Sequence, residues 1–242
     1  MTNISPHIAH KIDIQFLVYF RSAWESEHLI PISVDPYTYA LFGDLAVKHV
    51  DELLDYYLSI PRFTCCDISV GLDITVDRRN WAEYYSDHLW HFMGWFYALT
   101  KIIEGGPIGE TAVFVFDQSF LKLIRNNNDL TLYDENVLLY YPRSLGNEFA
   151  WSPITVNLWD FAAHVVAAGE VYAALIQNLH KAIAARGYAE DDLPKLLENQ
   201  SDKPVAEGDD IPLKLAIIAR ELNVGLEVFE QAKTLVENQR NS

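Results

Sequence analysis

Between Leu158 and Arg186 the apolar residues Leu158, Phe161, Ala162, Val165, Tyr172, Leu175, Ile176, Leu179, Ala182 and Ile183 recur mainly at spacings of three and four. That rhythm places one continuous apolar face on an α-helix. Pro153, with Asn157 or Asp160, marks its start, and Gly187 marks its end. Unbroken, such a helix runs about 43 Å at about 1.5 Å per residue. Gly169 in its middle costs about 1 kcal/mol against alanine, so it signals a kink or a close contact. A helix like this is a spine for packing, and the rest of the chain has to be read as what packs on it.

Upstream, Ile12, Ile14, Phe16, Val18 and Phe20 alternate with their neighbours as a strand does. A helix is expected from about Pro36 to Leu58, with Leu41, Leu45, Val50, Leu53, Leu54 and Tyr57 on its apolar face and Pro61 as its stop. From Asp67 to Asp77 the alternation is nearly perfect: Ile68, Val70, Leu72, Ile74 and Val76 face one way. Asp67, Ser69, Gly71, Asp73, Thr75 and Asp77 face the other, which predicts a strand with one buried and one wet face. After a turn at Arg78-Arg79-Asn80, a strongly apolar helix is expected from about Trp81 to Glu104, ended by Gly105-Gly106-Pro107.

Residues 111–116, 120–125, 130–133 and 137–141 read as short strands, with a turn at Asn126-Asn127-Asn128-Asp129. Strands that bunch in this way favour an α+β fold: an antiparallel meander packed against two or three long helices, with a C-terminal helical hairpin. The chain divides into a core at residues 1–187, an acidic linker at 188–210 and a helical appendage at 211–242. Residues 187–210 carry eight acids against two bases, the mark of a linker or of a loop with one short helix.

Composition then weights the functional classes. The formal charge of −16 disfavours nucleic acid and anionic membranes as partners and favours basic proteins. Cys65 and Cys66 are adjacent, so there is no disulfide framework and a reducing cytosol is expected. The start, MTNISPHIAHKIDIQ, does not read as a secretory signal, and no run of 18 apolar residues predicts a membrane span. A chain of 242 residues buries about 70–75% of its unfolded surface, enough to fold without a metal or disulfide staple.

Catalytic patterns are sparse. Glu83, Asp87 and His91 lie four apart on the expected second helix, with His88 three before His91, a spacing that can hold a metal. A dedicated di-metal site needs matching ligands from another helix. The long helix offers His164, Glu170 and His180, with the two histidines on different faces. There is no G-x-S-x-G, and Cys65 and Cys66 enter a strand as small core residues. Gly105 to Gly109 leaves a helix, whereas a phosphate cradle enters one. In the tail, Ile218-Ala219-Arg220-Glu221-Leu222-Asn223-Val224-Gly225 followed by Leu226 to Leu235 resembles the two-helix spacing of helix-turn-helix modules. That resemblance implies DNA reading, but Glu227 and Glu230 stand against Lys233 alone on the would-be reading helix, where phosphates need clustered cations.

What remains is a constellation of Asp67, Asp73 and Asp77 on a wet strand face, without the D-x-D-x-D-G spacing of a calcium loop. Tyr37, Tyr39 and Trp151 are candidate aromatic anchors at its rim. The expectation is a cytosolic, non-enzymatic binding protein for a basic protein partner, in its narrower form an immunity or antitoxin protein that neutralises a cationic toxin. No cofactor is expected. A metal-assisted hydrolase using Glu83, Asp87, His88 and His91 is the alternative, with a tail-based regulator third.

Overall fold

The computed structural model describes residues 10–20, 29–31, 39–64, 67–86, 92–114, 120–134, 153–188, 192–198, 204–223 and 226–240. In chain order these form β1 (Ile12–Phe20), β2 (Ile30–Pro31), β3 (Tyr39–Phe42), α1 (Gly43–Lys48), α2 (Val50–Ser59) and β4 (Arg62–Thr64). Then come β5 (Ser69–Val76), β6 (Arg79–Ser86), α3 (Met93–Glu104), β7 (Ile108–Phe114), β8 (Phe120–Asn126) and β9 (Asp129–Asp134). The chain continues with β10 (Ile154–Asn157), α4 (Leu158–Ala185), α5 (Leu193–Leu197), β11 (Val205–Glu207), α6 (Ile211–Asn223) and α7 (Leu226–Arg240). The fold is α+β with antiparallel sheets, as the bunching of strands requires.

Helix α4 is the spine that its periodicity predicts. Asn157 is its N-cap: Oδ1 accepts from the N–H of Trp159 at 2.9 Å and of Asp160 at 3.2 Å. Asp160 then sits in the first turn, where a carboxylate meets the positive end of the helix dipole. Gly187 closes the other end at φ +86°, a conformation glycine adopts freely. By length and composition α4 could cross a membrane, but its apolar residues are packed against β1 and against α1, α2, α3, α6 and α7.

Two main sheets flank this spine. One has the order β2-β3-β1-β5-β6, and the other, β10-β9-β8-β7, is the expected meander with β10 added at its edge. The meander turn falls at Asn127, whose φ is +58°. The fourth strand of that sheet is residues 154–157, while the strand expected at 137–141 lies outside the described residues. On β8, Arg125 donates from Nη1 to the Ile102 and Ile103 carbonyls at 3.0 Å each. A guanidinium at the C-terminal end of α3 satisfies orphan carbonyls and complements the dipole.

Three expected elements are corrected. The helix from 36 to 58 begins only at Gly43, because Tyr39–Phe42 pairs with Leu17–Phe20 as β3, and it is interrupted at His49. The helix from 81 to 104 is a strand to Ser86, and its helical part is Met93–Glu104. The wet face of 67–77 is not wet near its middle: β5 lies between β1 and β6, with Ser69 buried and Asp73 only 5% exposed.

The turn joining β5 to β6 is at Asp77 and Arg78, with φ of +51° and +67°. Positive φ at both central residues is the hairpin conformation whose twist matches the strands, and glycine favours its second position. Arg78→Gly is therefore expected to raise stability by roughly 0.5–1 kcal/mol. Urea unfolding checks this; an unchanged or lower midpoint would show that the arginine side chain offsets the strain.

The C-terminal part packs into the same core. Helix α6 is buried at every position from Leu213 to Ala219, and Phe229 and Ala232 of α7 join the cluster that contains β1, β5 and α4. Within 188–210, Val205–Glu207 pairs with Arg62–Thr64 as a small two-stranded sheet.

Candidate functional site

The described residues bring one groove together at an unequal pairing of strands. β1 pairs with β5 from Ile12 to Tyr19, but with β3 only from Leu17 to Phe20. β3 stops because Gly43 turns the chain into α1. That glycine is needed there: a Cβ would lie 2.5 Å from the Phe16 ring and 2.8 Å from Val171. Beside Asp13–Phe16 this leaves a groove of about 380 Å³. Asp13 to Phe16 form one side, Phe42 to Asp44 close one end, and His164, Ala167 and Val171 of α4 form the opposite wall.

Its polar groups are carboxylates and their partners. Asp13 is half exposed, with His164 Nδ1 at 3.4 Å and Gln15 Nε2 donating to it at 3.1 Å. Asp44 is exposed and lies 3.7 Å from Lys48, one helical turn on. From the groove an acidic ridge follows α1 and α2 along α4. Gly43 is beside Val171, Asn178 Nδ2 donates to the Val47 carbonyl, and Arg186 reaches Asp51 and Asp55. The ridge presents Asp44, Asp51, Glu52 and Asp55 against Lys48, Arg186 and His49, whose Nδ1 lies 3.3 Å from Glu52. Exposed pairs of this kind contribute little to stability, so the excess negative charge remains open to a partner.

The residues expected to form the site are dispersed by comparison. Asp73 is buried in the sheet and cannot present a carboxylate to a docking protein. Asp67 accepts from the Thr64 N–H at 2.7 Å and its hydroxyl at 3.0 Å, pinning the end of β4. Asp77 is exposed, but it accepts from the Lys11 N–H at 2.9 Å and lies 2.7 Å from His10 Nδ1. Tyr39 is half-buried on β3, and Tyr37 and Trp151 lie outside the described residues.

The helical metal stripe is also corrected. Glu83 stands on β6 as the register partner of Asp73, so it shares no helix face with later residues. Asp87, His88 and His91 lie outside the described residues, as do Cys65 and Cys66. On the long helix, Glu170 is bound by Lys233 Nζ of α7 at 2.8 Å. Among the described residues, no group of three or more His, Cys, Asp or Glu side chains converges. Among the described residues, Tyr57 has its phenol pushed far above the usual value by burial, then by Tyr56 and Asp67. It is a core group packed on Phe63 and has no surface to offer a substrate.

Sequence reasoning named His164 only as a possible metal ligand on the long helix and did not select Asp13 or Asp44. The local signal was present, in Asp13 and Gln15 alternating with the apolar residues of β1. What brings these residues into one groove is a difference in strand length, which no local pattern records. Comparison with protein-family models, curated proteins and solved structures found no match.

Proposed function

We propose that this chain is a non-enzymatic, cytoplasmic binding protein whose partner is a basic protein. The observation that carries the reading is the acidic ridge continuous with the groove: Asp13, Asp44, Asp51, Glu52 and Asp55 on adjoining elements, partly balanced by His164, Lys48 and Arg186. The protein's formal charge of −16 adds a long-range field of the same sign. Together they steer a cationic partner toward this face and speed its encounter. The narrower form of the proposal is an immunity or antitoxin protein that masks a cationic toxin.

The test combines capture with charge reversal. Asp44→Lys and Glu52→Lys change two exposed side chains and leave the core untouched. The native protein should retain a basic protein from lysate of its own source at low salt. It should release it above about 0.5 M salt, where the Debye length falls to a few ångströms. The double variant should retain at least tenfold less. A captured set that is the same for both proteins, or that contains no basic component, rejects the proposal. For the narrower form, co-expression with the captured partner should rescue growth only when this chain is present.

A further inference from the structure

The groove joins an apolar wall to two carboxylates that come from different elements. Phe42, Ala167 and Val171 line it with part of their surface exposed, and Phe16 and Ala168 line it from the core. Asp13 reaches it from β1 and Asp44 from α1, with side chains 49% and 64% exposed, so both carboxylates are open to an incoming group. No lysine or arginine is among the described residues that line it. Lys48 stands outside that lining, and its 3.7 Å pair with Asp44 is exposed on both sides, weak enough for another cation to displace. Asp13 is held in one setting by its neighbours: His164 Nδ1 lies 3.4 Å from Oδ1, and Gln15 Nε2 donates to Oδ2 at 3.1 Å. A carboxylate oxygen has two lone pairs, so each still has one to offer, but both oxygens are already partly engaged.

We infer that the groove is a socket for one lysine side chain of the basic partner. Its stem lies on Phe42, Ala167 and Val171, and its ammonium donates to Asp13, with Asp44 adding its field at the closed end. This rests on the basic-partner reading and specifies which of the partner's groups is gripped. Lysine is suited to such a site because its four-carbon stem covers apolar surface while the charged head stays at the polar end. Lysine also fits Asp13 better than arginine does. A guanidinium fork seeks both oxygens of a carboxylate at once, and here both carry a neighbour, whereas an ammonium is a point charge that needs one. At about 380 Å³ the groove is at the small end of the usual range for ligand pockets, roughly 300–1,000 Å³, which suits a single long side chain with attendant water. An anchor seated in a pocket supplies most of the affinity in such complexes, while the charges around it set the rate of encounter.

The probe is a terminally blocked Gly-Lys-Gly tripeptide, titrated into the full chain and followed in amide NMR spectra. Two comparison peptides carry arginine or norleucine in place of lysine, and 1,5-diaminopentane supplies the same ammonium without a peptide. The protein variants are Ala167→Trp, which fills the groove from an exposed position of α4 without changing charge, and Asp13→Asn, which removes the charge without filling the groove. Their folds are checked by circular dichroism and melting temperature. Saturable binding of the lysine peptide is expected, with a Kd of about 1–10 mM and the largest shifts at Gln15, Gly43 and Ala167. The arginine peptide should bind at least threefold more weakly, the norleucine peptide should not saturate, and each variant should weaken lysine binding at least tenfold. Absence of binding overturns the socket, as do equal binding of arginine and lysine or no effect of Ala167→Trp. Shifts that never saturate and spread over Asp51, Glu52 and Asp55 overturn it too, since they report only diffuse attraction to the ridge. Diaminopentane binding tenfold tighter than the lysine peptide assigns the groove to a free diamine instead. If capture of the basic partner depends on Asp44 and Glu52 while Ala167→Trp leaves it intact, the socket fails and the basic-partner reading stands.

Discussion

Replacing Gly169 with alanine is expected to lower the melting temperature, although alanine is the better helix former by about 1 kcal/mol. Gly169 lies in the middle of α4, and a Cβ there would collide with Phe229 Cε2 and Cδ2 and lie 2.9 Å from Phe96 Cε1. Phe96 and Phe229 belong to a set of edge-to-face and tilted rings with Phe92, Tyr172 and Phe16, with ring centroids 4.9 to 6.1 Å apart. None of these rings can retreat without displacing the next, because interiors are packed near crystal density. Overpacking of this kind costs typically about 1–3 kcal/mol beyond any helix-propensity gain. A net loss of about 2 kcal/mol shifts the melting temperature of a chain this size by about 4–8 °C. Gly169→Val should lose more. Adding Phe229→Leu to Gly169→Ala should cost less than the two single losses summed, since the leucine vacates the space the methyl needs. Additive losses, or a more stable Gly169→Ala protein, would show that α4 and α7 are less closely seated than described.

Lys214 carries the second large effect. It sits in the buried run of α6 with 1% of its surface exposed, and its Nζ donates to the Leu58 carbonyl at 2.7 Å. Leu58 is in the last turn of α2, where carbonyls lack helical partners. Lys214 thus ties the end of one helix from the interior of another. Lys214→Ala removes the hydrogen bond, strands the carbonyl and leaves a cavity along the aliphatic stem, a loss of about 3 kcal/mol. Lys214→Met keeps the packing volume but loses the hydrogen bond and strands the same carbonyl, so about 1–2 kcal/mol is expected. Urea unfolding separates the two. Equal losses would mean that the stem contributes nothing, and a loss below 0.5 kcal/mol for alanine (roughly the size of a surface effect) would mean that the site is wetter than its burial indicates.

Much of this architecture was legible where one element dictates its own pattern. The α4 periodicity, its Asn157 cap, its Gly187 stop and the turn at Asn127 were readable because each depends on neighbours within one helical turn or one hairpin. Legibility failed where the partner decides. Tyr39–Phe42 fits a helical apolar face, yet it becomes β3 because Leu17–Phe20 offers an edge. Residues 81–86 look helical in composition, yet the Asp77–Arg78 turn returns them onto β5. Asp73 reads as exposed from strict alternation, but that rule assumes a sheet with one solvated face. The candidate groove was least legible, since it opens where β3 pairs with β1 over fewer residues than β5 does, a comparison between strands far apart in sequence.

The late arrival of α6 and α7 shapes how the protein is made. As the ribosome delivers the chain, β1, β5 and α4 emerge before the residues that cover them, and Phe229 can reach Phe96 only after both have left the ribosome. Until then a wide oily surface faces the cell, long enough for holdase chaperones to engage it. A translational pause before Ile211 would prolong that exposure.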